Sequence, residues 1–263
     1  MIGHRTFCRL ICVSLASLAL AACATAPVEE PTLKTGLGAF VDTCTPATTG
    51  LDGSKPCLAL GPDQRWVLLK DQRGGSQFLV VARDPLLRLG HYDLPEPPLF
   101  SEAWAARACV RDVLRELDHR DVPLDHIGIA INSRFGGSQD RQHIHVDIIR
   151  DDVWDWLGPN AKYVMVDGPT GAEVALDKTL YNVRRRDKVD DHEIFSVLAA
   201  YSSEGQISST VAIVPDPDGG VLILTGFAGP VSPGSAEHDV LIPSAKLDEA
   251  EHARRNHCPG FAG

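Results

Sequence analysis

Between Arg141 and Ile149 polar and apolar residues alternate, the period of a β-strand buried on one face. Gln142, Ile144, Val146 and Ile148 point one way, and Arg141, His143, His145 and Asp147 the other. Two imidazoles therefore stand side by side, about 7 Å apart along the strand. Upstream, Ile127 to Ile131 reads as a second strand, and Gly136-Gly137 supplies the turn of a hairpin. Asn132, Ser133, Arg134, Ser138 and Gln139 fall at the end of that hairpin, where polar groups can reach a bound anion.

The same reading orders the rest of the chain. Leu37 to Cys44 is expected to form a short helix. Arg65–Lys70 and Gln77–Ala82 are apolar runs on either side of Asp71-Gln72-Arg73-Gly74-Gly75, a hairpin whose strands are buried on both faces. Leu94 to Pro98 should be an irregular loop. Ser101 to Arg120 has the helical period, with Ser101 as cap and Trp104, Ala108, Val113, Leu114 and Leu117 as its apolar face. Leu157-Gly158-Pro159-Asn160 reads as a turn and Lys162–Val166 as a strand. Leu180–Val183 leads into Arg184-Arg185-Arg186, the densest cationic run, and Val189–Tyr201 is a helix. Thr210–Val214 and Val221–Thr225 form a last hairpin. Strands outnumber helices and hairpins outnumber crossovers, so the expected class is α+β, an antiparallel sheet with packed helices.

Composition narrows the function. The chain has 263 residues, 44% of them apolar, which is enough for a proper core. Its formal net charge of −10 gives no electrostatic help toward nucleic acid, so no nucleic-acid partner is expected. Residues 1–22 have a basic start and an apolar stretch from Leu10 to Ala22, read as an export signal. Leu20-Ala21-Ala22-Cys23 resembles a bacterial lipobox, which implies a diacylated Cys23 followed by a tether over 23–35 and a folded domain over 36–263. The implied address is the periplasmic side of the bacterial cell envelope, held to the membrane by lipid. Ala24, in place of an Asp, tilts this weakly toward the outer membrane. In an oxidising compartment Cys44, Cys57, Cys109 and Cys258 suggest two disulfides. Three pairings exist; Cys44–Cys57 with Cys109–Cys258 is preferred over a zinc site, because no Cys-x-x-Cys is present.

The histidine pair admits three readings: a polar strand face without a task, two ligands of a zinc site, or nucleophilic catalysis at phosphorus. A zinc site needs a third ligand from Asp147, Asp140 or His126. Imidazole is a good nucleophile because much of it is uncharged near neutral pH. The Asn, Ser, Arg and Gln side chains nearby could stabilise charge on phosphate oxygens.

The string Asn132-Ser133-Arg134, Ser138-Gln139-Asp140, His143-Ile144-His145-Val146-Asp147 resembles the bacterial CDP-diacylglycerol pyrophosphatase family, part of the histidine-triad (HIT-like) superfamily. Phe78–Ala82, Trp104-Ala105-Ala106-Arg107, Tyr181–Arg186 and Cys258 extend the likeness across most of residues 40 to 260. The resemblance implies hydrolysis of CDP-diacylglycerol to CMP and phosphatidate, without metal or other cofactor. His143 and His145 are the implied catalytic pair. Asn132, Ser133, Arg134, Ser138, Gln139 and Asp147 would serve the phosphates, and Arg184–Arg186 could meet the diphosphate or headgroups. The superfamily's nucleophile is the middle His of His-φ-His-φ-His. In one register that is His145, with Asp147 replacing the last His; in the other it is His143, with Arg141 replacing the first. Gln139, six residues before His145, favours the first register. Alternatives are a nucleotide hydrolase or nucleotidyltransferase with a soluble substrate, or a non-enzymatic nucleotide-binding lipoprotein.

Overall fold

A computed structural model describes residues 33–50, 57–71, 76–90, 99–117, 119–161, 172–176, 179–199, 208–227 and 235–241. Its nine strands are β1 (Cys57–Leu60), β2 (Trp66–Lys70), β3 (Phe78–Ala82), β4 (Ile127–Ile131), β5 (His143–Ile148), β6 (Ala172–Leu176), β7 (Thr179–Arg186), β8 (Ser209–Pro215) and β9 (Val221–Phe227). They form one antiparallel sheet in the order β1-β2-β3-β5-β4-β8-β9-β7-β6. Helices α1 (Gly36–Val41), α2 (Leu99–Leu117), α3 (Asp151–Asn160), α4 (Asp191–Ala199) and α5 (Ala236–Val240) complete the α+β fold.

The two faces of the sheet are covered differently. On one face Phe78, Val80, Ile129, Ile144, Val146 and Ile213 meet Phe100, Ala106, Val110 and Leu114 of α2 and Phe195 of α4 in a continuous core. Each buried Ile, Val, Leu or Phe there contributes about 1.5–3 kcal/mol of hydrophobic stabilisation. On the other face the core is split in two. Val67, Leu69, Leu79 and Val81 pack with Val41 and Cys44 at the β1–β3 end. Ala130, Ala212, Val214 and Leu224 pack with Val153 and Leu157 of α3 and Val240 of α5 toward the β6 end. Central strand β5 runs between these clusters, and its residues on that face are His143, His145 and Asp147.

Several expectations need correction. Helix α2 begins at Leu99, ahead of Ser101. Its first amides are capped from another helix: Phe100 N–H donates to Asp191 Oδ1 at 2.7 Å and Ser101 N–H to Asp191 Oδ2 at 3.1 Å. The stretch read as a turn at Leu157–Asn160 is the last turn of α3, with Pro159 inside it. There the Asn160 side-chain amide donates to Trp156 O at 2.7 Å. Arg184–Arg186 continue β7 as strand, and β1, α3, β6 and α5 are elements that the local pattern does not predict. Lys34, in the stretch expected as tether, is hydrogen-bonded to the loop before β5. Its N–H donates to Ser138 O and its carbonyl accepts from Asp140 N–H at 2.8 Å. The signal segment, Cys23, the 94–98 loop, the 162–166 strand and Cys258 lie outside the described residues. Cys44 and Cys57 are disulfide-bonded, as expected. Cys109 is also disulfide-bonded.

Burial pushes the Asp191 carboxyl up, against hydrogen bonds from Ser101 and Phe100 that lower it. A raised carboxyl adds stability below its ordinary value that is lost as pH rises through the raised one. Asp191→Ala should cost about 1 kcal/mol at neutral pH through the lost cap. Asp191→Asn, which keeps an acceptor and removes the buried charge, should cost clearly less. Urea unfolding of the two variants measures both.

Candidate active site

Register places the two histidines. His145 pairs with Leu79 of β3 and with Ala130 of β4, and His143 pairs with Val81. Their ring centroids are 5.0 Å apart with the planes inclined at 67°. Both rings are buried, His143 3% and His145 5% exposed, yet both line a cavity of about 300 Å³. Leu37 and Phe40 of α1, with Leu69 and Leu79 of the sheet, supply its apolar wall. Ser138 and Gln139 supply its polar rim. The cavity exists because the covering layer is interrupted over β5.

Each ring has defined contacts. His143 Nδ1 lies 2.7 Å from Arg141 O. A carbonyl only accepts, so Nδ1 carries the proton and, in the neutral ring, Nε2 carries the lone pair. His145 Nδ1 lies 2.7 Å from Gln77 Nε2, and its Nε2 lies 3.4 Å from Asn132 Nδ2. Asn132 in turn accepts from Ser235 Oγ at 2.8 Å. Amides from the residue just before β3 and the residue just after β4 thus flank His145. Gln77 and Ser235 carry no motif. They are 68 and 103 residues from their partners His145 and Asn132, so no local pattern could have singled them out.

The other nominated residues divide. Asn132, Ser138 and Gln139 are at the site, and Gln139 Oε1 also accepts from Leu37 N–H at 3.1 Å, tying α1 to the cavity rim. Ser133 and Arg134 are turned into the scaffold and do not line the cavity. Ser133 is fully buried and its Oγ accepts from Gly136 N–H. Arg134 Nη1 donates to Leu89 O at 3.2 Å and to Asp140 at 2.8 Å, and Arg88 holds the same carboxylate at 2.9 Å. The loop folds so tightly there that a Cβ on Gly137 would lie 2.2 Å from the Leu89 side chain. Asp147 is buried one alternation beyond His145, where its Oδ1 accepts from Ile148 N–H.

More distant candidates are not at the site. Arg184–Arg186 sit on β7, four strand spacings from β5, or about 19 Å. Arg185 pairs with Asp216 and Asp218, and Arg186 with Glu193. His126, a candidate third zinc ligand, stacks on Trp154 with centroids 4.2 Å apart. Asp140, another, is committed to its two arginines.

Asp140 has a measurable signature. Burial would raise its carboxyl, but hydrogen bonds and charge from Arg88 and Arg134 outweigh this and hold it below the usual range. A lowered carboxyl contributes stability above the ordinary value of about 3.9, lost as pH falls through the lowered one. Asp140→Asn should therefore lower the melting temperature at neutral pH. The gap to the parent protein should close under acid, as followed by thermal melts at stepped pH.

Two solved structures share features of this chain. Both are of yeast Ap4A phosphorylase Apa2. The complex with AMP has a TM-score of 0.41 and 16% identity, covering 72% of this chain and 63% of that one. The complex with Ap4A has a TM-score of 0.35 and 16% identity, covering 62% and 57%. This chain thus spans less than two thirds of either. The CDP-diacylglycerol pyrophosphatase family model matches residues 35–240, which takes in the sheet, the histidine pair and the loop before it. The chain belongs to the CDP-diacylglycerol pyrophosphatase family, whose members are hydrolases acting on a diphosphate.

Proposed function

We propose that this chain hydrolyses CDP-diacylglycerol to CMP and phosphatidate at the cavity beside His143 and His145, with His145 as nucleophile. The observation that carries the proposal is a pair of buried imidazoles opening on one cavity in a member of this family. In the scheme His145 Nε2 attacks the phosphorus bearing cytidine. The bond from that phosphorus to the bridging oxygen breaks, and phosphatidate leaves with both electrons. Its phosphate is a weak base, so little help from an acid is needed. Water then attacks the cytidylyl–histidine adduct, gives up a proton to His143 Nε2, and frees CMP while His145 regains its lone pair. In this scheme Asn132, Ser138 and Gln139 would donate to the non-bridging oxygens, where charge develops.

Size supports the orientation of the substrate. About 300 Å³ is the low end for a small-molecule site, suited to a nucleotide but not to two acyl chains. The nucleotide goes in and the diacylglycerol stays outside. Membrane attachment belongs to this proposal: lipidation of Cys23 would hold the enzyme on the periplasmic side of an envelope membrane, where its lipid substrate lies. Among the described residues no helix is long and apolar enough to cross a membrane.

His145→Ala should lower kcat/KM on CDP-diacylglycerol by at least roughly 10³-fold while the variant still folds cooperatively. EDTA should leave the parent enzyme active, and acid-labile labelled cytidylate should be trapped on the parent but not on this variant. Full activity of His145→Ala would refute the scheme. An adduct surviving in His145→Ala and lost in His143→Ala would move the nucleophile to His143. Faster turnover of an ADP-sugar or a dinucleoside polyphosphate would instead indicate a soluble substrate.

A further inference from the structure

We propose that Gln77 and Ser235 are positioning residues that fix the protonation state of His145 from opposite sides; this rests on His145 being the nucleophile. A neutral imidazole carries one N–H, so it cannot accept hydrogen bonds at both nitrogens. Ser235 Oγ donates to Asn132 Oδ1 at 2.8 Å, which turns the Asn132 nitrogen toward His145 Nε2, 3.4 Å away. An N–H facing Nε2 requires the lone pair there, so the ring proton belongs on Nδ1. Gln77 Nε2 stands against Nδ1, which would leave two N–H groups facing each other; half a turn of the amide end, which only exchanges its nitrogen and oxygen, lets Oε1 accept that proton across the 2.7 Å contact. The lone pair then stays on Nε2, the atom that attacks.

Both supports are anchored well enough to impose this. Gln77 is 3% exposed, and its carbonyl accepts from Asp71 N–H at 3.1 Å and Lys70 Nζ at 3.2 Å, so the root of its side chain is held. Ser235 is 5% exposed and directly precedes α5, whose first amide, Ala236 N–H, donates to Thr210 Oγ1 at 3.1 Å. Thr210 Oγ1 donates to Ile131 O at 2.9 Å, adjacent to Asn132. Helix α5 and β8 thereby deliver Ser235 to the end of β4. Without Ser235 the Asn132 carbonyl oxygen loses its 2.8 Å donor, and the direction its amide nitrogen takes toward Nε2 is no longer set from that side.

The test reads the tautomer directly. In ¹⁵N spectra of the imidazoles, made with the full chain and no substrate, His145 should carry its proton on Nδ1 in the parent and in Gln77→Glu. In Gln77→Leu it should become a mixture. In kinetics on CDP-diacylglycerol, Gln77→Leu should lose roughly 10- to 100-fold in kcat with little change in KM. Gln77→Glu sets a carboxylate against Nδ1 and favours the charged ring, so the acid limb of its kcat/KM profile should move up by about 1 pH unit or more. Ser235→Ala should lower kcat in the parent but not in an Asn132→Ala background, and Ser235→Thr should restore it. An unchanged tautomer in Gln77→Leu, an unmoved acid limb in Gln77→Glu, or additive losses for Ser235 and Asn132 would each overturn the inference. Because the spectra need no turnover, they separate its failure from that of the nucleophile assignment, which His145→Ala decides.

Discussion

The position of β5 in the sheet is the constraint on which the site depends. It lies between β3 and β4, apolar on the face under α2 and carrying two imidazoles on the other. Pairing His145 with both Leu79 and Ala130 sets which side of the sheet the rings occupy. A slip of one residue would reverse the faces, driving both imidazoles under α2 and turning Ile144 and Val146 toward solvent. Two flanking strands make that slip doubly unfavourable. The fold can therefore leave the far face of β5 uncovered by helix without losing its register.

The opening is a cavity because its walls come from separate parts of the chain. One wall is α1, stitched through Lys34 and Leu37 to Ser138, Gln139 and Asp140 and stapled to β1 by the Cys44–Cys57 disulfide. The rim is the loop between β4 and β5, moulded by one carboxylate, Asp140, shared between Arg88 and Arg134. Arg134, nominated for the phosphates, is thus committed to the shape of the loop. The polar lining of the cavity is instead Lys70, Asp71, Ser138, Gln139 and the two imidazoles.

The histidine pair was legible because its signal is local: a two-residue period, two ring side chains in phase, and a polar loop before them. The same locality made the hairpins read at 65–82 and 210–225 and the long helix readable. Where local preference misled, a distant partner had prevailed. Ser101 has the right chemistry for a cap, but the α2 amides go to Asp191 of α4. Gly158-Pro159 has turn chemistry, yet Val153 and Leu157 gain more by burying α3 against the sheet. The Arg184–Arg186 run looked like a cationic patch until Asp216, Asp218 and Glu193 arrived beside it.

By itself the sequence determined the α+β class, which residues form β5, and that its two histidines share a face, because strand period and residue type are properties of neighbours along the chain. Only the tertiary structure decided that β5 is central, that Arg134 serves the loop and not the cavity, and that Gln77 and Ser235 reach the site. These depend on which strands pair and which buried polar groups must find partners, and a partner 68 or 103 residues away leaves no trace in local pattern.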